Sequence, residues 1–547
     1  MRNLPSAFIQ QTQALIDTSC RALRRRCTVN GIFDEGRLDF CQSAAYAIAF
    51  SAAELEAARR INVYAHVVGN NDSFAAALAE FFIADALHAI RARLLRCPAD
   101  FGLKSGDIDY LAPATSLSQA LEAQLCASNC DALGRTLMER RGQLPIPLLT
   151  DEQIMIRDTF ARFADKSVAP LAESIHRDDL DIPDTILSAA AEIGLFAVCI
   201  PQRYGGLKPD AMEDTLSMIL VTEELSRVSL GAAGSLLTRP EIVARALFAE
   251  GTEDQRRFWM PRLASGETLA AVAVTEPNFG SDVAGVRLRA ARVPGGWRLD
   301  GQKTWCTFAG KASALLVLTR TDPDLAKAHR GLTLFIVAKP SFSGLEFGYD
   351  CPEGGRLTGK SIPTIGYRGM HSFDLFFDSL FVPESAVVGG EEGIGRGFYA
   401  TMQGFAGGRI QTAARATGVM QGAYERAFAY AARRRVFGKT ISEYPLALAT
   451  LVRMAAVVIV SREFSHAVAQ LMDRGQGQMQ ASLVKLFSCR AAEWVTREAM
   501  QIHGGIGYAQ ASDVSRYYVD ARVLSIFEGA EEALALKVVG RDLIKNA

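Results

Sequence analysis

Residues 501–529 read QIHGGIGYAQASDVSRYYVDARVLSIFEG. The stretch opens on the end of an apolar helical pattern and breaks at Gly504, Gly505 and Gly507, where the missing Cβ lets backbone come close to a ligand. After a polar loop, helical spacing returns from Val514 to Ile526, with Tyr517, Tyr518, Val519, Ala521, Val523 and Ile526 as candidate packing positions. It stops at FEG, where Glu528 stands between the Phe527 ring and the flexible joint of Gly529. Desolvation by an apolar neighbour raises a carboxylate pKa and suits it to act as a general base. Taken alone, FEG reads more readily as a helix N-cap or a solvated turn than as a base, since Glu531 and Glu532 follow directly.

Outward from this stretch, 547 residues with 49% hydrophobic content exceed what one core needs, so several domains are expected. A formal net charge of -1, with no basic run longer than Arg24–Arg26 or Arg433–Arg435, argues against a nucleic-acid partner. The first residues lack the apolar core of a signal peptide, and no window approaches the roughly 20 apolar residues of a membrane span, so a soluble cytoplasmic protein is expected. The 10 cysteines are scattered, and Cys126-x-x-x-Cys130 has no second ligand pair at zinc spacing, so reduced thiols and no metal are expected.

Residues 1–142 carry four helical blocks, Phe8 to Leu23, Leu38 to Val67, Phe74 to Leu95 and Leu117 to Leu137, separated by junctions such as GIFDEGR, VGNNDS and CPADFGLKSGDIDYLAPATS. Strand signals are absent there, alanines at 45, 47, 49, 52, 53, 57 and 58 allow close helix approach, and His66 and His88 read as ordinary helix residues. Pro145 and Pro147 interrupt helix, and Thr150-Asp151-Glu152 restarts it. A helical segment follows over 150–269. The period then changes to two across 270–390, with turns such as PGG and LDGQK that predict a small antiparallel β domain, before a helical bundle over 391–547.

Together these segments resemble the acyl-CoA dehydrogenase family over roughly the last 400 residues. In 501–529, Gln501, Gly504, Gly505, Tyr508, Arg516, Asp520, Arg522, Glu528 and Gly529 match its C-terminal pattern, with Val519 for the usual Arg and Ala530 for the usual Thr. VTEPNFGSD (274–282) and KTWCTFAG (303–310) are similar to its two flavin segments, although Asn278-Phe279 stands where Gly-Ala is common and makes the loop bulkier. ARRRVFGKTI (432–441) is similar to the segment that meets the FAD pyrophosphate of a neighbouring subunit. The resemblance implies a mostly α fold with a helical domain, a β domain and a C-terminal four-helix bundle, here preceded by an N-terminal helical extension.

It also implies FAD held by Val274, Thr275, Ser281, Trp305, Thr307, Arg434, Phe437, Gln501, Gly504 and Gly505, with Arg434, Phe437 and the glycine loop reaching across a homodimer or a dimer of dimers. Glu528 becomes the base that removes the α proton of an acyl-CoA, and Ser281, Arg409 and Gly529 become substrate contacts. Electrons pass on to an electron-transfer flavoprotein. There is no GxGxxG after a strand, so the cofactor is expected in this fold's own crevice. Within the family, extra helices at the N-terminal end favour the bacterial (2S)-methylsuccinyl-CoA dehydrogenases over the very-long-chain enzymes, and the extension is expected to pack on its own dimer near the substrate entrance. A distal carboxylate would need a cation, for which Arg239 in SLLTRPEIVARALF is the candidate, against an ordinary ion pair with Glu223, Glu224 or Glu241. Oxidation of another short, branched or long acyl-CoA, an oxidase, and a non-enzymatic interaction role remain alternatives.

Overall fold

Small side chains set the helix spacing at both ends of the chain. In the computed structural model, which describes residues 4–69, 71–111 and 116–547, Ala45, Ala49, Ala53, Ala57 and Ala58 of the Gln42–Val68 helix are all buried. A Cβ added at Gly540 would sit 3.3 Å from the Ala45 carbonyl oxygen, so the C-terminal segment approaches as closely as a glycine permits. The helices Leu4–Arg26, Gln42–Val68, Ser73–Leu95 and Ala127–Glu139 pack with Pro445–Met472 and Gln478–His503 as one compact unit made of residues 1–150 and 412–547. Phe82 meets Phe487 edge-on at 5.6 Å, and Gly134 admits Leu448, whose Cβ would lie 2.8 Å from an added methyl. The N-terminal extension and the C-terminal bundle therefore share a core. Even the proline linker joins it, since Tyr424 donates to the Gly142 carbonyl and Tyr64 to that of Ile146, both at 3.0 Å.

Two expectations for this unit need correction. The segment read as free of strands contains a hairpin, Thr28–Val29 with Ile32–Phe33, turned by Asn30 and Gly31 at φ 49° and 80°. Asn-Gly is the preferred pair for such a two-residue turn. And two helices, Ser73–Leu95 and Pro445–Met472, are long and apolar enough to cross a membrane, with mean hydropathy 1.5 and 1.6. Both have 61% of that window buried among other helices, which accounts for their composition as bundle core. The junctions around Asn70 and across 112–115 lie outside the described residues. All 10 cysteines are free thiols.

The second compact unit spans 151–411. Helices Asp151–Phe163, Ala169–Arg177, Asp184–Glu192, Thr215–Val228, Thr238–Glu250 and Glu253–Ser265 precede an 8-stranded sheet. The sheet is mixed where the sequence reading made it antiparallel: Ala270–Ala273 pairs in parallel with Ala314–Arg320. The cause is topological. The hairpin of Arg289–Val293 and Gly296–Thr307 intervenes, so the chain returns to the first strand by a crossover in place of a tight turn. A core of Trp297, Leu299, Cys306, Leu315, Phe335, Phe373 and Leu375 fills the curled sheet.

Candidate active site

The two segments matched in sequence at 274–282 and 303–310 are stitched together in the second unit. Lys303, fully buried, donates to the Val274 carbonyl at 2.9 Å and to Glu276 at 2.8 Å, and the Thr304 N–H donates to the Thr275 carbonyl at 2.9 Å. Glu276 also accepts the N–H groups of Arg287 and Leu288, each at 2.7 Å, so the buried carboxylate is fully engaged. Burial pushes the Lys303 pKa down and the Glu276 charge only partly opposes it. Opposite Asp374 the register slips, leaving Thr304 and Trp305 on the bulged strand. Trp305 takes φ 58° and shows 55% of its surface. Left-handed backbone costs a bulky residue about 1–3 kcal/mol, an expense found where a side chain is displayed for use. Thr307 is buried with its hydroxyl 2.9 Å from that of Ser372, while Ser281 is exposed. The bulk at Phe279 folds back on its own loop, against Gly285 and 5.3 Å from the Arg287 guanidinium.

Arg239 is 7% exposed, at the start of the Thr238–Glu250 helix, and lines a narrow cleft with Phe196, Leu236, Thr268 and Phe308. Two of the carboxylates proposed as its partners are engaged elsewhere as well: Glu224 accepts from Arg227 at 2.9 Å and Glu241 from Arg245. Arg239 is thus an interior cation. Arg409 lies half-buried in the first turn of the Gly408–Ala431 helix.

In the first unit, Glu528 stands at the apex of a loop closed by the Glu531 N–H donating to the Ser525 carbonyl at 3.0 Å. The Ile526 and Phe527 N–H groups both turn back onto the Val523 carbonyl, and Lys485, buried, donates to the Gly529 carbonyl at 2.6 Å. Glu528 itself takes φ 53° and is half-buried, and the Arg415 guanidinium lies 4.7 Å from the Phe527 ring centre. Of the expected packing positions, Tyr518 in the preceding helix, Asp513–Leu524, and Ile526 just beyond it prove exposed, at 43% and 52%. Buried Arg516 and Asp520 take the inner face instead, with the Arg516 guanidinium 4.6 Å from Tyr517. Charged residues carry no apolar signal, which is why periodicity missed them.

Gln501 lies in the last turn of the Gln478–His503 helix, and Gly504 turns at φ 61°, ψ −140°, a conformation open to glycine alone. Nothing lies within 4 Å of a Cβ added at Gly504 or Gly505. Phe437 occupies the tip of the hairpin Arg435–Val436/Lys439–Thr440, at φ 48° beside Gly438 at 83°, and is 98% exposed. Arg434 anchors that hairpin through its carbonyl to the Ile441 N–H at 2.9 Å and its side chain is exposed.

Three family models match in chain order: acyl-CoA dehydrogenase N-terminal domain over 150–267, middle domain over 271–380 and C-terminal domain over 395–544. The chain belongs to the acyl-CoA dehydrogenase family, FAD-dependent oxidoreductases acting on CH–CH bonds. It is 36% identical to (2S)-methylsuccinyl-CoA dehydrogenase of Cereibacter sphaeroides over 99% of this chain and 98% of that one. Butyryl-CoA dehydrogenase of Megasphaera elsdenii superimposes with TM-score 0.66 at 28% identity, covering 73% of this chain and all 100% of its own. Glutaryl-CoA dehydrogenase of Mycobacterium smegmatis, in complex with FADH2, does so at 0.63 and 25%, covering 72% and 95%.

The residues present fit FAD. Trp305 offers an exposed aromatic face on a fixed strand, and Ser281 adds an exposed hydroxyl on the loop tied to that strand. Gly504 and Gly505 leave open space where side chains would stand.

Proposed function

We propose that the chain oxidises (2S)-methylsuccinyl-CoA to mesaconyl-CoA, with Glu528 as the base. Glu528 takes the proton from the carbon next to the thioester carbonyl, and the electron pair of that C–H bond moves into the new double bond. Bound FAD supplies the acceptor for the hydride that leaves the β carbon. By resemblance to the family, the Glu528 backbone N–H would donate to the charge that develops on the thioester oxygen. Thr275, Trp305 and Thr307 hold the flavin, Ser281, Arg409 and Gly529 the thioester. The observation that carries the dehydrogenase reading is the display of the Glu528 carboxylate at positive φ on a loop tied down on both sides. The substrate reading rests on the extension: the Cereibacter enzyme shares it over 99% of this chain, while the butyryl-CoA enzyme stops at 73%.

Arg239 would meet the distal carboxylate, because an interior cation offsets the several kcal/mol that burying a bare carboxylate costs. A second copy of the chain would complete the cofactor site, which suits the exposure of Phe437 at 98% and of Tyr508 at 85%. An electron-transfer flavoprotein would then accept the electrons. Steady-state kinetics with methylsuccinyl-, butyryl- and octanoyl-CoA tests the substrate. The highest kcat/KM is expected for methylsuccinyl-CoA, with that preference eroded in Arg239→Met; better oxidation of the uncharged chains would refute the dicarboxyl reading.

A further inference from the structure

The loop that bears Glu528 is held from behind by the N-terminal extension. The Gln42–Val68 helix presents Tyr46 and Phe50, whose rings lie 5.0 Å apart. Arg490 of the Gln478–His503 helix stacks its guanidinium 3.5 Å from the Phe50 ring centre. Tyr46 donates its hydroxyl proton to Glu531 at 2.5 Å, and Arg490 donates to the same carboxylate oxygen at 2.6 Å and to the Tyr46 oxygen at 2.5 Å. Glu531 is the residue whose N–H closes the Ser525–Glu531 loop, three positions beyond Glu528. The chain that follows is pinned to the same extension by Lys537 on Asp39 at 2.6 Å and by Arg541 near Glu35 at 3.8 Å. Burial, then the Glu531 carboxylate, pushes the Tyr46 pKa up to about 12, so it remains a donor at neutral pH.

We infer that the N-terminal extension positions the catalytic base, with Tyr46 and Arg490 as positioning residues that act through Glu531 on the Glu528 loop. The inference rests on Glu528 being the base. Tyr46→Phe would keep the ring and its packing and lose the hydroxyl that ties extension to loop. A small shift of a reacting group far from the chemistry can cost up to about a hundredfold in rate, so a loosened loop is expected to slow proton removal about tenfold.

The test uses the full-length, FAD-loaded enzyme with a 3-thiaacyl-CoA, whose α proton can be removed but whose sulfur at the β position yields no hydride. Exchange of its α hydrogens into deuterated water is followed by NMR, alongside its Kd, the flavin content and the Tm. In Tyr46→Phe, exchange at saturation is expected about tenfold slower with Kd and flavin content unchanged. Asp85→Asn removes the charge from another contact between extension and bundle, the ion pair with Arg453, and is expected to exchange at the wild-type rate. A wild-type rate in Tyr46→Phe, or an equal slowing in Asp85→Asn, overturns the inference. Glu528→Gln separates the two layers. If it exchanges normally, the base assignment fails; if it is silent while Tyr46→Phe is unimpaired, only the positioning role fails.

Discussion

Trp305 and Glu528 share an unusual backbone, at φ 58° and 53°, yet they are held there by different means. Trp305 sits on a sheet bulge opposite Asp374, with the strand anchored by a buried pair near it in sequence, Lys303 against Val274 and Glu276. Glu528 sits on a loop fixed by Lys485 and Arg490 of one helix and by Tyr46, 485 positions from Glu531. A flat aromatic face needs a rigid platform, and a short-range buried ion pair provides one. The base loop is held by long-range contacts, and these include the part of the chain that the shorter family members lack.

The difference can be broken first at the platform. Lys303→Met would strand the Glu276 carboxylate in the interior, at a cost of about 3–5 kcal/mol. Denaturant unfolding is expected to record that loss, with FAD content falling in parallel. An unfolding free energy near the wild type would mean that the pair does not hold the platform.

Lys485→Met should act on the other region. Without its bond to the Gly529 carbonyl, kcat is expected to fall roughly 10- to 100-fold while FAD remains bound, since the platform is untouched. Loss of flavin in this variant would erase the contrast between the two regions.

The smallest effect is expected at His371, which secures the strand beside Trp305: its carbonyl accepts the Phe308 N–H at 2.7 Å. Its ring meets Asp179 at 3.0 Å and Asp181 at 3.3 Å, and Arg368 also approaches Asp179 at 3.4 Å. Burial pulls its pKa down, but the two carboxylates outweigh that and hold it above the ordinary value. A raised folded pKa stabilises fully below the unfolded value of about 6.5 and stops contributing as pH rises through the folded one. The Tm should therefore decline from pH 6 to pH 9 in the wild type, and more shallowly in His371→Gln. Parallel profiles would show that the fold does not raise the histidine pKa.

The platform was legible in the sequence because its determinants are local: Thr275, Ser281, Trp305 and Thr307 fall within two short segments whose order and residue types suffice to recognise them. The glycines at 504 and 505 were legible for the same reason. Asn30-Gly31 carried a strong hairpin signal that the surrounding helical pattern overrode. What holds the base loop was hidden, because Tyr46, Lys485 and Glu531 are far apart in the chain and each alone reads as an ordinary helix residue. Arg516 and Asp520 were legible as part of the family pattern but not as packing residues, because a buried cation beside an aromatic ring leaves no mark on a hydropathy pattern.

The central claim is that the side chain presented at the loop apex removes the α proton. Glu528→Gln keeps the shape and cannot take up a proton, so it should leave the oxidised flavin absorbance intact and lower the rate of acyl-CoA oxidation by about a thousandfold, within the range attributed to a general base. Oxidation at the wild-type rate by the FAD-loaded variant would contradict the account.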